Sequence, residues 1–283
     1  MTVNLSTKKR LLPDSAKTCT TLSHMRNSSW LLLVLMLIMS TVIRAQKIKI
    51  NDSLRLNSEP MELKAKGISA RYLKFRFGDY AVISGKAGWG STKTTGKLFS
   101  VNEVSETKAK YSFVFASKSG DTASVNVATN TVIDIVDYKN IPFTTFGGAD
   151  MSTIVGSKSN YFASIVNNHD STVWTLVLVQ TGGQTIDPAK AFSFKGALTD
   201  GNIKYDLKPV TDWENDKRPM MNFGLPGYEF EIDGRTVAAI QTPLNSMQKK
   251  YAWIDRRLDP STQFLLATAL TAIAENVVSE EYK

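Results

Sequence analysis

Residues 264–278, FLLATALTAIAENVV, are the stretch of this 283-residue sequence that decides its fold. Placed on a helix at about 100° per residue, residues 264–274 leave only Thr268 and Thr271 as a polar face. A helix that is apolar all round must be enclosed by protein or by membrane. At about 1.5 Å per residue this helix is about 22 Å long, which is short for a bilayer core but matches the interior of a β-barrel.

The residues just before this stretch carry a helix start signal. Asp259 is placed to cap the helix with its side chain, and Pro260 suits the first helical position. From residue 46 to this point no other convincing helical pattern is found. We therefore expect one helix, close to the C-terminal end of the sequence.

The chain ahead of the helix alternates apolar and polar residues in many short runs. Within residues 71–77, Leu73, Phe75 and Phe77 fall on one face, which is the period of a half-buried strand. Hairpin signals recur around residues 118–121, 167–170, 199–202 and 233–234, and the last of these, Asp-Gly, is the strongest. Such turns between β-branched and aromatic runs favour an antiparallel sandwich or barrel.

Residues 1–45 have the features of a leader with a secretory signal peptide. Arg26 supplies a short basic region, residues 30–39 (WLLLVLMLIM) are continuously apolar, and Ala45 stands at a plausible cleavage position. The apolar run is shorter than the about 20 residues that span a bilayer. A start at Met25 and a permanent N-terminal membrane anchor are the alternatives. We expect residues 46–283 to form a single domain, because no linker rich in Pro, Gly or Ser divides them.

Removal of this leader would change the charge of the chain. The whole sequence has 34 Lys and Arg against 26 Asp and Glu, but six of the basic residues and one of the acidic residues lie in the leader. The remainder has a net charge of +3, which gives little support to a nucleic-acid partner, since that needs a clustered positive field. The single cysteine, Cys19, is also in the leader. We therefore expect no disulfides and a periplasmic, envelope-associated or extracellular location in a bacterium.

Three segments near the C-terminal end resemble one known architecture. Residues 228–240 (YEFEIDGRTVAAI), 251–254 (YAWI) and 264–274 are similar to the penultimate hairpin, the last strand and the buried helix of the tubby-like barrel. Tubby C-terminal domains, phospholipid scramblases and plant LURP-one-related proteins share that fold. The resemblance implies a mainly β fold, namely a closed antiparallel barrel of about 12 strands with one buried hydrophobic C-terminal helix. It also implies a bias toward membranes, although no residue here matches a phosphoinositide or calcium site.

Motifs for catalysis, metals or cofactors are weak. Residues 85–93 (GKAGWGSTK) lack the spacing of a phosphate-binding loop, so we expect a turn there. His169, the one histidine outside the leader, lies in an expected turn, and no Gly-x-Ser-x-Gly elbow accompanies it. There is neither a His/Cys cluster nor the spacing of a calcium loop, so we expect no metal and no cofactor.

Carboxylates leave one enzymatic alternative open, which is an envelope hydrolase using paired Asp and Glu side chains. Two carboxylates at the right separation suffice for a glycosidase. The candidates are Asp206, Asp212, Glu214, Asp216, Glu229, Glu231 and Asp233.

Basic and aromatic residues give the expected ligand surface. Lys64 and Lys66 join Lys74 and Arg76 on one predicted sheet face, and a second basic group lies beside the start of the helix. Tyr72 and the loop at residues 143–150 lie among the further candidates. Basic side chains next to aromatic ones suit contact with anionic headgroups, whereas the alternative is an ordinary solvated face. The predicted surface consists of Lys74, Arg76, Lys249, Lys250, Tyr251, Trp253, Arg256 and Arg257.

These patterns favour an exported, non-enzymatic binding or structural module of the cell envelope. Its partner would be an anionic membrane surface or another envelope protein. A carrier with an internal pocket is less compatible, because the apolar helix would fill the barrel.

Overall fold

The computed structural model describes residues 47–66, 74–96, 102–137, 152–168, 172–183, 192–214, 225–242 and 249–281. The predicted leader, residues 1–45, lies outside these residues. The described helices are α1 (Asp52–Asn57) and α2 (Pro260–Glu281). The strands are β1 (Met61–Lys66), β2 (Lys74–Phe77), β3 (Tyr80–Gly96), β4 (Asn102–Ser117), β5 (Thr122–Asp137), β6 (Ser152–Asn167), β7 (Val173–Gly183), β8 (Phe192–Thr199), β9 (Lys204–Val210), β10 (Gly227–Ile232), β11 (Arg235–Gln241) and β12 (Lys250–Ile254).

The twelve strands form a closed antiparallel barrel in which strands adjacent in sequence are adjacent in space. Closure depends on β1, the first strand. Its residues 61–63 pair with β12, and its residues 64–66 pair with β2. The mainly β barrel with a C-terminal helix, as expected from the sequence, is thereby confirmed.

Helix α2 lies against the apolar interior of this barrel, and its residues 264–275 are all buried. Both of its buried threonines donate to the helix backbone, Thr268 to the Phe264 carbonyl (2.8 Å) and Thr271 to the Ala267 carbonyl (2.9 Å). Their hydroxyls are therefore already hydrogen-bonded in the core, which avoids the cost of an unsatisfied buried donor. In the part of the chain that the structure describes, no helix is long and apolar enough to cross a membrane.

Two hydrogen bonds fix the position of α2. At its start the Asp259 carboxylate accepts from the Thr262 backbone N–H (2.9 Å), as the capping pattern predicts. Further along, the buried Tyr161 hydroxyl of β6 donates to the Ala272 carbonyl (2.8 Å). Burial, and then the charge of Glu275, raises the pKa of the Tyr161 phenol, so it remains a donor at neutral pH.

The hairpins predicted from the sequence are confirmed where the structure describes both strands and the turn. β4 pairs with β5, β8 with β9, and β10 with β11, each across the turn expected from the sequence. At the Asp-Gly turn, Asp233 and Gly234 have φ values of 51° and 74°. Positive φ at both central residues is what a two-residue hairpin turn of this kind requires.

The expectation of a single helix was wrong, because residues 47–58 form an ordered N-terminal strap that contains α1. The Asn51 side chain caps α1 by accepting a hydrogen bond from the Ser53 N–H (2.9 Å). This capping residue was a local sequence signal for a helix that the sequence analysis missed. The strap covers the outer wall of the barrel and completes a second apolar cluster. Its buried members are Ile48, Ile50, Leu54, Val210, Trp213, Ala239 and Trp253.

The expected turn at residues 85–93 was also wrong, since these residues lie within β3. They pair with β4 and are interrupted by a bulge between Ala87 and Gly90, so sheet pairing overrides their glycine-rich composition. β3 to β6 have 16 or 17 residues each, whereas β9 to β12 have 5 to 7. The long strands continue past the apolar core as an extension that we call the blade (residues 85–96, 102–110, 129–137 and 152–160).

Enclosure of α2 predicts a large difference between two leucine truncations. Leu270 is fully buried in α2, whereas Leu56 on α1 is 81% exposed. Leu270→Ala should lower the free energy of unfolding by about 2–5 kcal/mol through a cavity, and Leu56→Ala by less than about 0.5 kcal/mol. Urea unfolding followed by circular dichroism measures both. Equal effects would show that α2 is not held by the barrel.

Candidate functional site

Lysine and arginine residues lie opposite one another in the pairing of β1 with β2. Lys64 stands opposite Arg76, and Lys66 opposite Lys74, in the antiparallel register. The intervening Phe75 is buried, and because side chains alternate along a strand, Lys74 and Arg76 point outward. The structure thus brings together the two basic strand segments that the sequence predicted to share one face.

The same outer wall continues onto β12. Tyr251 stands opposite Glu62, and the Lys249 ammonium lies 3.2 Å from the Glu62 carboxylate. The Lys47 ammonium, at the start of the strap, lies 5.4 Å from the centre of the Tyr251 ring, within the range of a cation–π contact. We call this surface the basic face and define it by Lys47, Lys64, Lys74, Arg76, Lys249 and Tyr251.

The charge of the basic face is only partly compensated. Glu62 is its acidic member, and it is engaged by Lys249. Lys64, Lys74 and Arg76 are exposed and form no ion pair with any residue in the described ranges. Three adjacent cations without carboxylate partners repel one another, and an anion placed between them relieves that repulsion.

Arg256 and Arg257 were predicted to belong to the same surface, but each is paired with a carboxylate in the turn before α2. Arg256 lies 2.5 Å from Glu59, which directly follows the strap. Arg257 makes a bidentate contact with Asp255, whose side chain is completely buried, at 3.0 and 2.7 Å. The Arg257 guanidinium is the main cause that lowers the pKa of Asp255. These two arginines stabilise the turn between β12 and α2, and their positive charges are largely neutralised by the paired carboxylates.

Trp253 and Lys250 also depart from the predicted surface. Trp253 is 3% exposed and packs in the second apolar cluster beneath the strap, so its ring is not available to a ligand. Lys250 pairs in register with the inward-facing Leu63 and is half-buried, on the opposite side of the sheet from Tyr251. Tyr72, His169 and the loop at residues 143–150 lie outside the described residues. Of the predicted surface residues, the basic face therefore combines Lys74, Arg76, Lys249 and Tyr251.

Carboxylates meet on a different part of the outer wall, across β9 and β10. Glu231 stands opposite Asp206 and binds Lys208 (2.7 Å), while Glu229 accepts from the Asn51 backbone N–H (2.9 Å). Burial, followed by the like charge of Glu231, raises the pKa of Glu229. A carboxyl group with a raised pKa beside a second carboxyl group is one feature of an acid–base site, although each group here also has a structural contact.

The other candidate carboxylates do not join this group. Asp212 and Glu214 lie where the backbone pairs with the strap, Asp233 occupies the β10–β11 turn, and Asp216 lies outside the described residues. Among the side chains that the structure describes, no group of three or more His, Cys, Asp or Glu could hold a metal ion.

Comparison with known proteins adds no functional assignment. No protein-family model matches the chain, and neither the curated proteins nor the solved structures contain a significant match.

The buried Asp255 predicts a defined pH dependence of stability. Its pKa is lowered in the folded state, so the Arg257 contact stabilises the fold above the unfolded pKa of about 4 and is lost as the pH falls through the lower folded value. Asp255→Asn should cost about 2–3 kcal/mol at neutral pH, and the difference from wild type should shrink in acid. Urea unfolding from neutral pH to about pH 3 measures this.

The matched control for that experiment is Asp52→Asn. Asp52 pairs with Arg55 at 2.8 Å, but its side chain is 82% exposed. Its loss should change stability by less than about 0.5 kcal/mol at every pH. A pH-independent effect of Asp255→Asn would contradict the role given to the Asp255–Arg257 pair.

Proposed function

We propose that this chain is an exported, non-enzymatic binding module of the cell envelope whose basic face contacts anionic lipid headgroups. One observation carries the proposal. Lys64, Lys74 and Arg76 lie side by side on the outer wall, exposed and without an ion-pair partner among the described residues.

The strength of such a contact follows from the number of free charges. Each Lys or Arg near an anionic membrane surface contributes about 1 kcal/mol, so three give about 3 kcal/mol at low salt. Tyr251, held between Lys47 and Glu62, adds an amphipathic ring at the edge of the same face. Because the chain from residue 46 onward has a net charge of only +3, this local arrangement would provide the attraction.

The architecture supports a finer assignment, which we also propose. A closed barrel of twelve antiparallel strands followed by a buried hydrophobic C-terminal helix is compatible with the tubby-like superfamily. The membrane bias implied by that resemblance agrees with a headgroup-binding surface.

Vesicle flotation tests the lipid contact. The protein is prepared from Gln46 onward, because the apolar residues 30–39 would bind vesicles by themselves. The variant Lys64→Glu/Lys74→Glu/Arg76→Glu should bind phosphatidylglycerol-containing vesicles at least on the order of 100-fold more weakly, since the loss of the three positive charges alone removes about 3 kcal/mol. Neutral phosphatidylcholine vesicles should show little binding of either protein.

The matched control changes the same total charge elsewhere. Lys110, Lys158 and Lys195 are exposed on β4, β6 and β8, away from the basic face. Lys110→Glu/Lys158→Glu/Lys195→Glu should retain most of the binding. An equal loss in both variants would mean that only net charge matters, and unchanged binding of the first variant would eliminate the lipid proposal.

A hydrolase that uses Glu229 and Glu231 is the second candidate, favoured by the raised pKa of Glu229 beside a second carboxylate. Glu229→Gln keeps an acceptor for the Asn51 N–H but cannot transfer a proton. It should lower hydrolysis of 4-nitrophenyl glycosides by about 100-fold or more without lowering the melting temperature. The control is Glu106→Gln, which changes the half-buried carboxylate of the Lys108 pair on β4. If the wild-type protein hydrolyses none of these glycosides, this candidate is removed.

A further inference from the structure

The outer wall of β7, β8 and β9 contains an open groove with an apolar floor. The groove has a volume of about 400 Å³, which is within the range of sites that hold small molecules. Val177 and Val179 of β7 and Ala197 of β8 form its floor. These residues face outward, because they alternate along their strands with the buried Leu178 and Leu198.

The groove exists because a small side chain stands between larger ones. In the antiparallel register, Ala197 lies opposite Val177 on one side and opposite Asp206 on the other. Beyond Val177 the register places Phe162 of β6, which is 46% exposed. Apolar residues thus form a continuous row across three strands of the outer wall. Contiguous exposed apolar surface with a polar rim is typical of a ligand-binding groove.

The rim of the groove carries a cation without a carboxylate partner. Lys195 of β8 is exposed and forms no ion pair with any residue in the described ranges. Lys204 differs, because its ammonium lies 2.5 Å from the Asp206 carboxylate. Lys208, further along β9, is held by Glu231 at 2.7 Å. Among the described side chains of the rim, a single positive charge is therefore free.

We propose that this groove binds a small amphiphilic monoanion, namely a free fatty acid of medium chain length. Its aliphatic chain lies on Val177, Val179 and Ala197, and its carboxylate contacts the Lys195 ammonium. The chain removes the exposed floor from water, and the single negative charge pairs with the single free cation. This site is separate from the basic face, which lies on β1, β2 and β12.

The charges and the length of the row select this ligand. A phosphate dianion on Lys195 would bring a second negative charge close to Asp206, which is unfavourable. A cationic amphiphile would be repelled by Lys195 and would find Asp206 already engaged by Lys204. Neighbouring strands lie about 4.8 Å apart, so the row from Ala197 to Phe162 is about 10 Å long and suits a chain of about eight carbons.

Titration with octanoate tests the proposal, and methyl NMR locates the binding. In the full chain labelled with ¹³C at the valine methyl groups, octanoate should shift the signals of Val177 and Val179 in a saturable manner. Acetate lacks the chain and octylammonium reverses the charge, so each should shift these signals at least about tenfold less at equal concentration. Both reporters lie in the groove, so octanoate bound to the apolar residues 30–39 is not counted.

Two substitutions separate the charge from the floor. Lys195→Gln should weaken octanoate binding by about fivefold, as expected for one surface ion pair. Its control is Lys158→Gln, which changes an exposed lysine of β6 outside the groove. Ala197→Leu should fill the groove and weaken binding by more than about tenfold. Its control is Ala116→Leu, which makes the same change at a half-buried, outward position of β4.

Each outcome decides for or against the proposal. Saturable octanoate shifts that weaken in Lys195→Gln and Ala197→Leu, but not in their controls, support it. Equal shifts with octylammonium overturn it, because the contact is then nonspecific, and so does the absence of a saturable shift below the micelle concentration of octanoate. Signals that change with protein concentration instead would assign the groove to a second copy of the chain, which also overturns it. If circular dichroism shows that Ala197→Leu does not fold, the comparison of Lys195→Gln with Lys158→Gln decides alone.

Discussion

The enclosure of one helix is the constraint on which the rest of the structure depends. Helix α2 is apolar on nearly all sides, so it cannot rest on an open sheet without leaving apolar surface in water. A barrel wall that surrounds it removes this surface from water on every side. The polar atoms that enter with it are satisfied locally, by the bonds of Thr268 and Thr271 to their own helix and by the bond from Tyr161 to Ala272.

Much of the fold could be predicted because its signals are local in sequence. The Asp233-Gly234 turn, the alternation of Phe75 and Phe77, and the Asp259 cap each depend on a few neighbouring residues. Two elements could not be found in this way. The β3 segment from Gly85 to Lys93 is strand because β4 pairs with it, and α1 is ordered partly because Leu54 packs on a wall formed far along the chain.

The candidate site, too, could be predicted only in part from local sequence signals. The sequence identified the basic residues, but only the register shows which of them lack acidic partners. Lys64 and Arg76 are brought together by the pairing of β1 with β2, whereas Arg256 and Arg257 are neutralised by Glu59 and Asp255. Trp253 was predicted on this surface because it lies near basic residues in the sequence, yet a segment preceding β1 covers it. The tertiary structure therefore decides which of the basic side chains remain without an acidic partner.

The pairing of β1 with β12 has a consequence for how the chain can fold. The wall is closed by its first and last strands, and the helix that fills it follows the last strand. Neither closure nor filling can occur until the ribosome has synthesised β12 and α2. Contacts of such long sequence separation make folding slow, since the loop must close before the contacts stabilise it. Until then, the strands from β1 to β11 must therefore remain outside a closed barrel.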